Sequence, residues 1–259
     1  MSLGSETLPT GRAAAARTPV SLRAALVLLA LSLLGVSSLL LSDLGLGVLA
    51  DQIELAPEQV RLLVLAQPAI LSLLAVVVGW RTSRRTGLRL PLIDGGWAAW
   101  SSRGLVTAGV VALVGAVTLL LYAWLTSQVF VLEGAEAIST SLVTRLLYGG
   151  ITEEVLLRWG VMGLFAWLLI RLLRRPAGRT RDLIMIANLA AAVLFAVGHF
   201  PALALLPGAE PVHYALSFVA NAGLGVLFGW TFARHGLEYA FLGHGGTHLL
   251  AFLAATALA

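Results

Sequence analysis

Two adjacent glutamates and an arginine stand inside a long apolar stretch of this chain, in Tyr148-Gly-Gly-Ile-Thr-Glu-Glu-Val-Leu-Leu-Arg158. Ionisable groups within a membrane helix cost about 2.5 kcal/mol or more each on insertion scales, so they require partners or a wet cavity. Glu154 and Arg158 are spaced i,i+4 on one helical face and can pair, whereas Glu153 lies about 100° further round and is left for chemistry. A buried ion pair that only locks helix packing is the competing account of Glu154 with Arg158. The next apolar stretch closes in Phe195-Ala-Val-Gly-His199-Phe-Pro201, which puts His199 one turn after Phe195, where a proline stops the helix. Taken alone, His199 also fits an interfacial or a satisfied core side chain. The last stretch carries Gly243-His244-Gly-Gly-Thr-His248, two imidazoles one turn apart, with small residues between them that let another helix or a peptide backbone approach.

Amide hydrolysis needs a base for water, donors for the oxyanion and a proton for the leaving amine, and one glutamate with three histidines offers candidates for all three. Two histidines at i,i+4 are equally a zinc-binding spacing, which Glu153 and His199 would complete as a four-ligand site if their helices converge. There is no HExxH, so base and histidine pair do not share one helix as in common zinc metalloproteases. Competing hydrolytic machinery is missing: no aspartate lies inside an apolar stretch, no Gly-x-Ser-Gly occurs, and the absence of cysteine removes thiol nucleophiles, thiolate metal sites and disulfides together. His213 and His235 flank apolar stretches and read as solvated interfacial side chains. The run Asn221-Ala-Gly-Leu-Gly225 reads as close helix packing, with Asn221 as polar glue, because no strand precedes it and the chain has no lysine to make a phosphate cradle.

The elements that must carry these groups follow from composition. Of 259 residues 59% are hydrophobic and only 12% charged, which points to lipid as solvent and excludes a soluble enzyme. The 17 basic residues are all arginine against 13 acids, and a net charge of +4 held in short loops does not make a nucleic-acid binder. A helix needs about 20 apolar residues to cross the bilayer with its backbone satisfied internally. Residues 24–42, 62–80 and 104–126 meet this without a charge, and Pro68 is tolerable within a membrane helix. Residues 141–173, 183–200, 214–233 and 237–259 meet it with polar groups in their interiors. The expected fold is all-α, a polytopic bundle of about seven transmembrane helices. It divides into a disordered cytoplasmic head (1–23), N-terminal transmembrane helices (24–140) and a transmembrane core that carries the polar groups (141–259). The first apolar run exceeds that of a signal peptide and reads as an uncleaved anchor. Arginines at 81, 84, 85 and 89, and again at 171, 174, 175, 179 and 181, alternate with acidic loops, which places the N-terminus in the cytoplasm. By the rise of an α-helix, Glu153 and His199 both lie about 27 Å from the arginine-rich boundary and can meet, but His244 lies only about 15 Å from Arg234 and looks too shallow to join them.

In this order on successive helices, Glu153-Glu154-x-x-x-Arg158, Phe195-x-x-x-His199 and His244-x-x-x-His248 resemble the CPBP family of CAAX-type and bacteriocin-processing intramembrane proteases. The resemblance covers roughly residues 141–259. It implies an all-helical membrane enzyme that hydrolyses peptide bonds of a membrane-associated protein or peptide, with Glu153 and His199 activating water and His244 with His248 stabilising the oxyanion. Glu154, Arg158 and Phe195 would support them. That family's last motif commonly closes with asparagine where this chain has His248, so an imidazole replaces an amide donor; a histidine can still donate to developing negative charge, and the added imidazole also suits a metal. Dependence on glutamate alone or on a divalent metal such as zinc stays open.

Carboxylates and histidines within membrane spans are also what a proton- or metal-coupled transporter requires, although no paired repeat is visible in the first half of the chain. A catalytically silent membrane scaffold or immunity factor is the third class. The lysine-free, Arg/Ala/Leu/Gly-rich composition suggests a GC-rich bacterial gene and a bacterial cytoplasmic membrane. There, peptide maturation, bacteriocin immunity or cleavage of a membrane regulator is expected rather than processing of prenylated CAAX proteins.

Overall fold

A computed structural model describes residues 19–42, 44, 46–133, 140–175, 180–206 and 208–258, so the expected disordered head lies, for its first 18 residues, outside the described residues. Among the described residues every regular element is helical, and seven helices are long and apolar enough to cross a membrane. They are α1 (Leu22–Leu41), α2 (Pro57–Thr86), α3 (Ser102–Val129), α4 (Leu142–Leu172), α5 (Arg181–Ala204), α6 (Pro211–His235) and α7 (Leu237–Leu258). The chain is a polytopic helical membrane protein. The helices start and end near the expected limits, except that α2 runs through Arg81, Arg84 and Arg85 to a left-handed Gly87 at φ 74°. Arginines there snorkel to the interface and favour the negative end of the helix dipole, so charge does not end the helix.

The bundle is arranged around α4, which packs against α1, α2, α5 and α7, while α7 lies chiefly along α3 and α6 along α5. Lipid supplies no hydrophobic drive for helices to associate, so small residues and hydrogen bonds must hold them. The indole of Trp159 fills the space over Gly79 and donates to the carbonyl of Val76, which joins α4 to α2. Thr152 Oγ1 donates to the carbonyl of Ser32 and Thr144 Oγ1 to that of Ser38, tying α4 to α1. The carboxamide of Asn188 donates to the carbonyl of Val226 at 3.0 Å and joins α5 to α6.

Two further features place the site. Helix α4 is not an ordinary α-helix: Arg145–Glu153 and Val155–Met162 both hydrogen-bond in the wider i→i+5 pattern. Such widening is rare and is found most often where function is built. The second feature is the junction of α6 with α7, which is the single residue Gly236 at φ 123°, a conformation only glycine adopts without strain. Directly after it, Glu238 Oε1 accepts from the backbone N–H groups of Leu92 and Ile93, both at 2.9 Å, capping the short helix Pro91–Gly95 from a distant part of the chain. The hydroxyl of Tyr239 accepts from the N–H of Ser101 at 2.7 Å, at the entry to α3.

Candidate active site

Glu154 and Arg158 lie at the centre of the bundle, with side chains 0% and 1% exposed. Their i,i+4 pairing is as expected, with Arg158 Nη1 at 3.2 Å from Glu154 Oε1. The guanidinium also donates to the carbonyl of Gly225 on α6 at 3.2 Å and lies over the faces of Phe195 and Phe228, at 4.5 and 5.5 Å from the ring centroids. A desolvated cation there is stabilised by the negative faces of both rings.

Helix α7 brings His244 to the same carboxylate, with Nδ1 2.9 Å from Glu154 Oε1. Its ring stacks on Phe228, centroids 4.3 Å apart and planes 15° from parallel, and it meets the edge of Phe195 at 5.9 Å. Its other nitrogen, Nε2, lies 3.9 Å from Oε2 of Glu153, so the two adjacent glutamates address opposite ends of one imidazole. An ideal α-helix would have turned Glu153 away; the widened turns of α4 change the angular step between neighbours, and this corrects the expectation that Glu153 points elsewhere.

His248 stacks on His244 with centroids 5.1 Å apart. A β-carbon placed on Gly149 would lie 3.1 Å from Nε2 of His248 and 3.8 Å from Nε2 of His244. The absent side chain of Gly149 thus marks a point on which two imidazole nitrogens converge, with Glu153 on the same helix four residues on. The neighbouring Gly150 serves another purpose: its β-carbon would lie 2.9 Å from the Cα of Gly245, so glycine on both helices sets how closely α4 and α7 approach.

His199 meets the Phe195 ring edge to face, centroids 4.8 Å apart. Its Nδ1 is 2.8 Å from the carbonyl of Phe195. A carbonyl only accepts, so Nδ1 carries the hydrogen and Nε2 of the neutral ring holds a lone pair. The proline after it does not stop the helix as expected. The regular turns of α5 end at Val197, His199 caps the next segment, and Pro201 sits in the first turn of Phe200–Ala204, where its missing N–H costs nothing.

The expected depth conflict does not hold, since α7 brings His244 to both glutamates. His244 and Phe228 each lie eight residues from Gly236, about 12 Å along their helices, and Arg158 meets Gly225 one turn beyond Phe228. Helix α4 runs for 31 residues, well over the roughly 20 that cross hydrocarbon, so Arg171 near its end does not mark the level from which Arg234 measures His244.

Among the described residues no three histidines or acids are arranged to hold one metal ion. The bonds from Nδ1 of His244 to Glu154 and from Nδ1 of His199 to a carbonyl leave Nε2 of each ring free, which is also how a metal-ligating histidine is held, so they do not bear against zinc. Other readings also change. His213 is buried rather than solvated; its Nδ1 accepts from the N–H of Glu210 at 2.9 Å, which leaves Nε2 to donate to the carbonyl of Phe130, so it ties α6 to the end of α3. Asn221 bonds back to Ser217 on its own helix instead of crossing to another. The amide that does cross is Asn188, and its signal in the sequence is a lone carboxamide in the middle of an apolar run.

With this geometry in view, residues 135–250 match the family model described as type II CAAX prenyl endopeptidase Rce1-like. The matched segment includes the clustered side chains from Gly149 to His248. No curated protein matches the chain, and no solved structure does.

Proposed function

From a C-terminal half that carries the signature of a CAAX-type membrane protease family, we propose that the chain is an intramembrane endopeptidase that cuts a membrane-associated protein or peptide. Glu153 is the base that takes a proton from water, assisted by the free lone pair on Nε2 of His199. His244 and His248 face the oxyanion. Glu154, Arg158 and Phe195 fix the imidazoles in place. The observation that carries this reading is the convergence of Nε2 of His244, Nε2 of His248 and the Glu153 carboxylate around the gap above Gly149. A reacting carbonyl needs a base on one side and hydrogen-bond donors about 3 Å from its oxygen, and glycine at position 149 keeps a side chain from coming between them. The catalytic core is residues 141–259, with the N-terminus on the arginine-rich, cytoplasmic side.

The test is cleavage of a peptide library by the purified full-length chain in lipid, with and without chelator, beside Glu153→Gln and His199→Ala. Wild type cleaves; Glu153→Gln falls by at least about 10²-fold with an unchanged melting curve; chelator has no effect. Unchanged cleavage by Glu153→Gln would overturn the assignment. A wild-type chain that moves protons or metal ions across vesicles without cutting any peptide is a transporter instead.

A further inference from the structure

We propose that His244 is the general acid of the reaction, an imidazolium held at Nδ1 by the Glu154 carboxylate that delivers its Nε2 proton to the leaving amine, with Glu154 as its positioning residue. This rests on the hydrolase reading above and deepens it.

The hydrogen-bond pattern leads there. Glu154 is in an ion pair with Arg158, so its Oε1 accepts, and the 2.9 Å contact puts a hydrogen on Nδ1 of His244. A neutral imidazole with hydrogen on Nδ1 has a bare Nε2, which can neither donate to an oxyanion nor protonate an amine. Only the doubly protonated ring does either. Charge balance permits that form. Glu154 and Arg158 cancel each other, which leaves Glu153 facing His244 across 3.9 Å. With one proton between them this second pair is neutral as a whole whichever of the two holds it, and the carboxylates at both ring nitrogens are what draw it to His244. The remaining titratable neighbours include His248, stacked at 5.1 Å, and His199, which meets the same Phe195 ring. The face of Phe228 at 4.3 Å stabilises a cationic ring and, together with the Nδ1 bond, prevents it from turning over.

The protons balance. As the water oxygen bonds to the carbonyl carbon, Glu153 takes one of its protons and the carbonyl oxygen becomes the oxyanion. The carbon–nitrogen bond then breaks, the oxyanion reforms a carbonyl, and Nε2 of His244 gives its proton to the departing nitrogen. The products are a carboxylic acid and an amine, with Glu153 protonated and His244 neutral. Return of that proton from Glu153 to Nε2 through one water restores the starting state, and nothing is oxidised or reduced.

Leaving-group dependence tests this in the full-length chain in lipid. Two substrates share one acyl peptide: an ordinary amide, and an ester whose nitrophenolate leaves without a proton. The variants are His244→Gln, which keeps an N–H donor but no transferable proton, and Glu154→Gln, whose carboxamide oxygen still accepts from Nδ1 but carries no charge. Each variant is expected to lose about 10²-fold or more in kcat on the amide, at similar KM, and only a few-fold on the ester. Equal losses on both substrates would mean that His244 only donates to the oxyanion or only supports the fold, and would overturn the proposal while leaving the hydrolase intact. If His244→Gln fails to fold, the amide-to-ester ratio of Glu154→Gln combined with Arg158→Met, which leaves no stranded charge, decides alone. A wild type inert on both substrates overturns the hydrolase reading and this inference with it.

Discussion

Arg158 has five donors, but its charge is met by a single carboxylate oxygen, one carbonyl and two aromatic faces, all away from water. Removing one member of such a pair strands the other. Arg158→Met should therefore cost about 3–5 kcal/mol, read as a large fall in the melting temperature of the chain in lipid or detergent. Adding Glu154→Gln should restore part of that loss, because the stranded charge is gone; no recovery would mean that Arg158 acts by shape rather than charge. At this scale the pair was legible from its i,i+4 spacing, and so was the type of chemistry, since acids and imidazoles in apolar runs are too costly to be incidental. The partner of Glu154 at its other side was not legible. Which imidazole nitrogen meets which glutamate depends on the rotation of α7 against α4, and spacing within one helix carries no information about that.

The pair Gly149 and Gly150 separates chemistry from packing within one helix. Gly149→Ala would touch only the ends of two imidazoles, at 3.1 and 3.8 Å, whereas Gly150→Ala would press on the backbone of Gly245 at 2.9 Å. Cleavage by Gly149→Ala should fall by about tenfold or more with little change in melting, because the methyl occupies the reacting space. Gly150→Ala should lower melting itself, by about 1–3 kcal/mol, as α4 and α7 are forced apart. Equal effects of the two on stability would remove the distinction. The existence and order of the seven helices were written in the lengths of the apolar runs, which the backbone's need for internal hydrogen bonds makes decisive. The i→i+5 turns of α4 were not, because nothing in Arg145–Met162 marks a break in period; the depth arithmetic failed because a 31-residue helix overshoots the bilayer and its arginine does not mark the boundary. Pro201 misled in a smaller way: a proline is as good at opening a helix as at closing one.

For the molecule as a whole, the ends of the bundle are fastened by contacts that join distant parts of the sequence. Glu238 holds the connection between α2 and α3 against the start of α7. Glu238→Ala should free that connection, raising protease nicking near residues 87–101 by about tenfold while costing the whole bundle only about 1–2 kcal/mol. Nicking at the wild-type rate would mean that Tyr239 and the buried Leu88 and Leu90 hold the segment unaided. The shallow position of His244 also makes the molecule lopsided. With the cluster about 12 Å in from the end where α6 turns into α7, and hydrocarbon about 30 Å thick, the opposite leaflet's surface is about one and a half times as far away. In the proposed hydrolysis every turnover consumes a solvent molecule, and the shorter distance for its supply is from the side crowded with arginine. In oriented vesicles, a membrane-impermeant carbodiimide added on that side should modify Glu153 faster than the same reagent added on the other. The enzyme would then drink from one shore only, and a substrate threaded from the far leaflet would meet a dry approach.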